Sequence, residues 1–230
     1  MKSLFKKVLR TIKEVIIGFM LLSVLLVVLM RWVNPLGSML MVERKIVHWN
    51  MTQQRTWKDW DQISDNIKIA VIAAEDQKFS NHWGFDFKAM NRALKHNQNN
   101  KKIRGASTIT QQVAKNIFLW PSRSWVRKGF ESWFTLWIEL TWSKQRILEI
   151  YLNSVEWDEG VFGIEAASRH YFNVSANQLT STQASLLAAI LPNPRKWSPI
   201  KPNSNIQRKA KWIRTQINNL GGKYYLDKLN

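Results

Sequence analysis

The 230-residue chain contains no cysteine, and its 16 Asp and Glu are outnumbered about two to one by 34 Lys and Arg. Without cysteine there is no disulfide scaffold, no thiolate zinc site and no thiol nucleophile. The four histidines, His48, His82, His96 and His170, never fall at His-x-x-x-His spacing, and no HExxH is present. A phosphate-cradling G-x-x-x-x-G-K-[ST] loop and a G-x-S-x-G elbow are also absent. Ser3 to Lys6 and Ser198 to Lys201 match S-x-x-K, and Ser64-Asp65-Asn66 matches S-D-N, but no K-T-G follows. These are coincidences rather than the signature of an acyl enzyme. The shortage of acids leaves a net charge of +18 and a pI of about 10.3. Such a charge calls for an anionic partner: nucleic acid, a phospholipid surface or a phosphorylated substrate. A hydrophobic fraction of 45% excludes a disordered basic tail. The length suits one substantial domain and an appendage.

What is present begins with an uncharged run over residues 15–30, extended by Trp32 and Val33 around Arg31. The run is slightly short for a hydrocarbon core of about 30 Å, but an arginine can snorkel and tryptophan suits the interface. Ahead of it lie Lys2, Lys6, Lys7, Arg10 and Lys13 with only Glu14 opposing, a local charge of +4. Positive flanks stay in the cytoplasm, which puts the rest of the chain on the far side. No small-x-small cleavage site follows, so a retained anchor is favoured over a cleaved signal peptide. The run has no polar face, which disfavours a buried soluble helix. The expected organisation is a cytoplasmic tail (1–14), an anchor (15–33), a juxtamembrane segment (34–65) and one domain (66–230). Most of the charge, +14, lies from Val15 onward and is therefore more than a topology signal.

Apolar residues recur at helical spacing over 67–75, 86–95, 108–119, 125–142, 145–153, 163–172, 182–191 and 206–220. Alternating strand-like runs are scarce, and there is neither a repeat nor a long linker. The tract 96–102 reads as a mobile loop and 192–202 as an extended or turning segment. The fold class expected is all-α.

With acids so rare, those within apolar helical runs stand out. Glu75 and Asp76 close the run at 69–74, and Glu131 follows Arg127 and Lys128 among aromatics. Apolar walls raise a carboxyl pKa by desolvation and a neighbouring cation lowers it. Two such groups in different surroundings suit acid–base work at a glycosyl centre. They equally suit two structural salt bridges, and the residues alone leave both readings open.

Five stretches occur in order: Glu75-Asp76-x-x-Phe79 with His82, Gly84 and Asp86; Gly105-x-Ser107-Thr108-Ile109-Thr110-Gln111-Gln112 with Lys115 and Asn116; Arg127-Lys128-x-x-Glu131 through Glu139; Lys144 with Ile147-Leu148-Glu149-x-Tyr151-Leu152-Asn153; and Ala184-x-Leu186-Leu187-Ala188. In these the chain resembles the family-51 glycosyltransferases, the peptidoglycan polymerases, in their monofunctional membrane-anchored form. The resemblance spans about residues 66–200. It implies a lysozyme-like helical domain that polymerises lipid II into β-1,4-linked glycan with inversion, releasing a polyprenyl diphosphate. It makes Glu75 the general base and Glu131 the second carboxylate near the diphosphate. Lys115 and Arg123 match phosphate-contacting positions, and Arg127 and Lys128 lie close by in sequence. Asp76, Phe79, His82, Ser107, Thr108, Gln111, Gln112 and Asn116 complete the expected substrate-binding set, with capping or packing an equal alternative for Thr108 and Gln112. No resident metal is assigned, although a divalent cation (Mg or Mn) is compatible with a diphosphate.

The chain departs from the family at Thr135, Ile138 and Gln183, where Ala, Leu and Glu are usual. The family's apolar flap corresponds to the region of Phe85, Phe87, Met90 and Leu94. Trp120, Trp125, Trp133, Trp137 and Trp142 suit an interfacial belt, with core packing an equal alternative for Trp133 and Trp137. Expected partners are lipid II, the growing strand, anionic membrane lipids and other cell-wall synthesis or division proteins, but not nucleic acid. The expected location is the bacterial inner membrane with the domain outside it. No transpeptidase domain is expected, which would leave cross-linking to another protein. A lysozyme-like cleaving enzyme and an anchored lipid-binding module are the competing functions.

Overall fold

A computed structural model of the chain describes residues 2–99, 105–122 and 124–229. The first helix, α1 (Lys2–Leu29), includes a 26-residue stretch, Leu4–Leu29, long and apolar enough to cross a membrane. It starts within the basic flank and stops before Arg31, so the expected extension through Val33 lies in a turn. Arg146 closes that turn. Its guanidinium donates to the carbonyls of Met30 and Val33, to Asn34 Oδ1 at 2.8 Å and to Glu149 Oε2 at 2.7 Å. These carbonyls follow the end of the helix, where a cation is also favoured by the helix dipole.

The helical expectation holds along the domain. The elements are α2 (Met39–Val47), α3 (Asp65–Glu75), α4 (Phe87–Asn99), α5 (Ile109–Phe118), α6 (Trp125–Thr141), α7 (Lys144–Ser154), α8 (Ile164–Phe172), α9 (Ser181–Ile190) and α10 (Ser204–Asn219). A 3₁₀ segment, Gly222–Leu229, follows. Most starts are written in the sequence. Ser64, Thr108, Ser124, Ser143, Thr180 and Asn203 each accept a backbone N–H of the first turn of the helix they precede. At Thr180 the box is completed by Gln183, whose Oε1 accepts from the Thr180 N–H at 3.0 Å. An amide does this as well as a carboxylate, which explains why Gln183 serves where Glu is usual.

Helix α3 is buried all round from Ile67 to Ala73, with Lys68 paired to Asp65, and sits at the centre, between α9 and α10. Helix α5 packs on α6 and α7, and one continuous core joins Ile72, Phe79, Ile109, Ile138, Leu148, Tyr151 and Trp157. A small sheet that the periodicity did not announce has the order β1 (Gln54–Arg55), β3 (Val161–Phe162), β2 (Glu156–Asp158). Strand β1 pairs parallel with β3. Arg55 donates to the Asn153 carbonyl and Arg44 forms a bidentate pair with Glu156. The globular fold therefore reaches back before residue 66 and incorporates α2 and β1.

Two further expectations are corrected. The tract from His96 to Asn99 is the last turn of α4 rather than a loop, because α4 keeps one apolar face (Met90, Ala93, Leu94) and ends in residues that tolerate a helix; residues 100–102 lie outside the described set. Trp142 is buried rather than interfacial, donating to the Val27 carbonyl of α1 at 2.7 Å. Trp133 and Trp137 meet edge-on and pack against the core, Trp133 donating to Ser23 Oγ at 3.0 Å. Trp120 and Trp125 are exposed, Trp125 at 92%.

Candidate active site

Glu75 is the last residue of α3, and the chain turns sharply after it. Asp76 holds that turn. Its carboxylate takes His82 Nε2 at 2.8 Å and the backbone N–H of Ile109 at 3.0 Å, at the N-terminus of α5. That N–H is one of the helix's free donors and favours an anion. Phe79 is fully buried, and Lys144 Nζ lies 4.7 Å from its ring centroid. Thr108 caps α5 and donates to the Gly84 carbonyl at 2.7 Å, while Gln111 Oε1 accepts from the Thr108 N–H at 3.0 Å. Gly84 has φ +74 and lies so close to α6 that a Cβ would sit 2.5 Å from Thr135 Cγ2. Glycine is required there on both counts, and Thr135 fills the space against it.

Asp76, Phe79, His82, Thr108 and Gln111 thus make up a wall of the candidate site, and apart from the buried His82 Nδ1 their polar groups are largely committed to partners within the protein. Asn116 is buried as well. Ser107, Gln112, Lys115 and Glu75 retain exposed surface, and Arg123 lies outside the described residues. A second brace was not anticipated. Glu139 accepts from Thr110 Oγ1 and from Lys144 Nζ, and Lys144 also donates to the His82 carbonyl at 2.7 Å. Burial lowers the Lys144 pKa, with Glu139 opposing. The signal for this brace was in the sequence: Glu139, like Glu75, is a carboxylate inside an apolar helical run.

Glu75 is half-buried. Gln112 Nε2 donates to its Oε2 at 2.9 Å, and Tyr151 donates from its hydroxyl to Gln112 Oε1 at 3.2 Å. No ion pair reaches Glu75 from the described residues, and its Oε1 takes no hydrogen bond from them. Glu131 is only 3% exposed and is neutralised from its own helix. Arg127 Nη1 lies 3.4 Å from Oε2, and Lys128 Nζ contacts Oε1. These are i−4 and i−3 positions on α6, adjacent on one helix face.

Lys115 connects the two settings. Desolvation lowers its pKa, Glu131 and Glu75 pull it back up, and Arg127 and Lys128 push it down. Its side chain reaches solvent yet is crowded by protein on its flanks, as in a concave site. Lys209 of α10 also lies within the field of Glu75, with desolvation lowering its pKa. Nothing in the sequence pointed to Lys209, which comes from an element 134 positions on.

Among the described residues no group of three His, Asp or Glu could hold a metal ion. Glu131 could offer a carboxylate, but each of its oxygens already faces a cation. The donor set does not fit a resident divalent ion. A half-buried carboxylate with one free oxygen, beside a cluster of three cations, can take a proton while a departing anion is stabilised nearby.

Residues 43–218 match the family model described as Transglycosylase. Similar proteins carry the name biosynthetic peptidoglycan transglycosylase. One from Pseudomonas fluorescens is 59% identical over 225 residues, covering 96% of this chain and 94% of the relative. One from Pseudomonas savastanoi pv. phaseolicola is 57% identical over 227 residues, covering 97% and 96%. One from Pseudomonas syringae pv. syringae is 55% identical, covering 99% and 98%. With a family model over most of its length and relatives this close from end to end, the chain belongs to the transglycosylase family and is a peptidoglycan glycosyltransferase with a lysozyme-like helical domain.

Proposed function

We propose that the enzyme polymerises lipid II into β-1,4-linked glycan strands, inverting the donor anomeric carbon and releasing a polyprenyl diphosphate. The observation that carries this reading is the contrast between the two glutamates on either side of Lys115. Glu75, with Oε1 free, removes the proton from the acceptor 4-hydroxyl as that oxygen attacks the donor anomeric carbon. The bond from that carbon to the diphosphate breaks, and the charge released meets Lys115, Arg127 and Lys128. Arg suits bidentate contact with phosphate and Lys acts as a point charge. A general base contributes about 10²–10⁴-fold and preorganised cations a comparable factor. Glu131 keeps Arg127 and Lys128 in place. A divalent cation enters this scheme only as a companion of the substrate's phosphates.

The basic flank before α1 argues for a cytoplasmic N-terminus and a domain at the outer face of the bacterial inner membrane. The exposed Trp120, Trp125 and Val126, and the remaining positive charge, suit contact with anionic lipid headgroups. Incubating the full chain in lipid vesicles with lipid II tests the reading. Appearance of glycan polymer with release of lipid diphosphate is the expected result. Shortening of preformed glycan without polymer would instead indicate a cleaving enzyme, and neither reaction would leave a binding module.

A further inference from the structure

We propose that Tyr151 is a positioning residue for the base, acting on Glu75 through Gln112; the inference rests on the reading of Glu75 as that base. Three helices are joined by two hydrogen bonds. Tyr151 on α7 donates to Gln112 Oε1 on α5, and Gln112 Nε2 donates to Glu75 Oε2 at the end of α3. The partners are 39 and 37 residues apart, so the link is tertiary rather than local.

The chemistry fixes the direction of the chain. An ionised carboxylate only accepts, so only the amide nitrogen of Gln112 can face Glu75, and its oxygen must then face the other way. A half-exposed glutamine has three soft torsions and an end group that turns over, losing the bond each time it does. The tyrosine hydroxyl gives the amide oxygen a fixed partner and removes that freedom. Tyr151 is itself 1% exposed, enclosed in the core with its neighbours Leu148, Ile150 and Leu152 of α7. Its hydroxyl makes no other hydrogen bond to the described residues. A buried hydroxyl is costly where phenylalanine would pack as well, and its bond to Gln112 accounts for its presence. Burial and the charge of Glu75 both hold the phenol pKa well above its ordinary value. Tyr151 therefore stays protonated and does not exchange a proton with substrate. With Oε2 held in this way, Oε1 is the oxygen left to face the acceptor.

The test is a double-mutant cycle on lipid II polymerisation by the full chain in vesicles, with Glu75→Gln run alongside. Tyr151→Phe should lower kcat about tenfold with KM within about twofold, and Gln112→Ala should do the same. The double variant should be no slower than Gln112→Ala alone, since both changes break one chain. A merely structural tyrosine would instead lower the melting temperature and leave kcat per folded enzyme unchanged. Wild-type kcat in Tyr151→Phe, or effects that multiply in the double variant, would overturn the proposal while an inactive Glu75→Gln keeps the base reading intact. Full activity in Glu75→Gln would overturn both.

Discussion

Glu75 and Glu131 line one site in opposite electrostatic settings. Glu75 stands at a helix end, half-exposed, touched by a neutral amide and left with a free oxygen. Glu131 is inside a helix, nearly inaccessible, with a cation on each oxygen. A carboxylate of the first kind can change protonation state during turnover without disturbing the fold. Removing the second kind leaves the largely buried Arg127 and the more exposed Lys128 without their shared counter-charge. Similar residues are thus divided by surroundings, and under the proposed function they become a reacting group and a fixture for two phosphate-binding cations.

The sharpest way to break the comparison is to replace each carboxylate with its amide. Glu75→Gln should lower polymerisation by about 10³-fold and leave the melting temperature nearly unchanged, because Glu75 makes no ion pair with the described residues and a glutamine oxygen can still accept from Gln112. Glu131→Gln should lower kcat less, by about 10²-fold, and should also destabilise the domain by about 2 kcal/mol as the two cations lose their counter-charge. Measuring rate and thermal unfolding on the same preparations separates the two. Equal loss of stability in both variants would erase the distinction.

The two settings also differ in how far they could be read from sequence. The partners of Glu131 stand three and four residues before it, and helical periodicity alone puts them on its face. Those of Glu75 come from α5, α7 and α10, at separations that no local pattern encodes. The helices themselves were legible because their apolar spacing and their Ser, Thr and Asn caps are local features. Strand β1, two residues long, carries no alternation to detect and exists because β3 offers an edge. Asp76, Thr108 and Gln111 stand out in the sequence, but nothing there shows that Asp76 receives the first-turn N–H of the helix that Thr108 and Gln111 cap. Burial of Trp142 was equally hidden, since it depends on where α1 lies.

Lys115 sharpens the comparison because it feels both carboxylates. Its pKa is lowered, so in the folded protein it sheds its proton below the ordinary lysine value. The penalty of its buried charge is present in full below the folded pKa and is lifted as pH rises toward the unfolded one, a slight gain in stability. Activity moves the opposite way, because the phosphate loses a cation over the same interval. The alkaline limb of kcat/KM should therefore fall below the usual lysine range. Lys115→Arg should move that limb to higher pH while retaining activity within about tenfold at the optimum, since a guanidinium stays protonated. A limb that does not respond to this change would assign the alkaline loss to another group.

The smallest effect tests whether the Glu131 side also depends on α1, the helix long and apolar enough to cross a membrane. On α6, Phe130 and Trp133 flank Glu131 and meet α1 at Phe19, in an edge-on contact of 5.6 Å, and at Ser23. The Glu75 side has no such contact with α1 among the described residues. Ser23→Ala removes the acceptor of the Trp133 N–H in a buried place and should cost about 1 kcal/mol. For a domain of this size that is a fall of about 2–4 °C in melting temperature. Trp142 still donates to Val27, so α1 stays docked and kcat should remain within about twofold. If kcat instead drops tenfold while unfolding is unchanged, the seating of α6 against the membrane helix controls where Arg127 and Lys128 meet the phosphate. The contrast would then be between a base set by the globular core and a phosphate site set in part by the membrane.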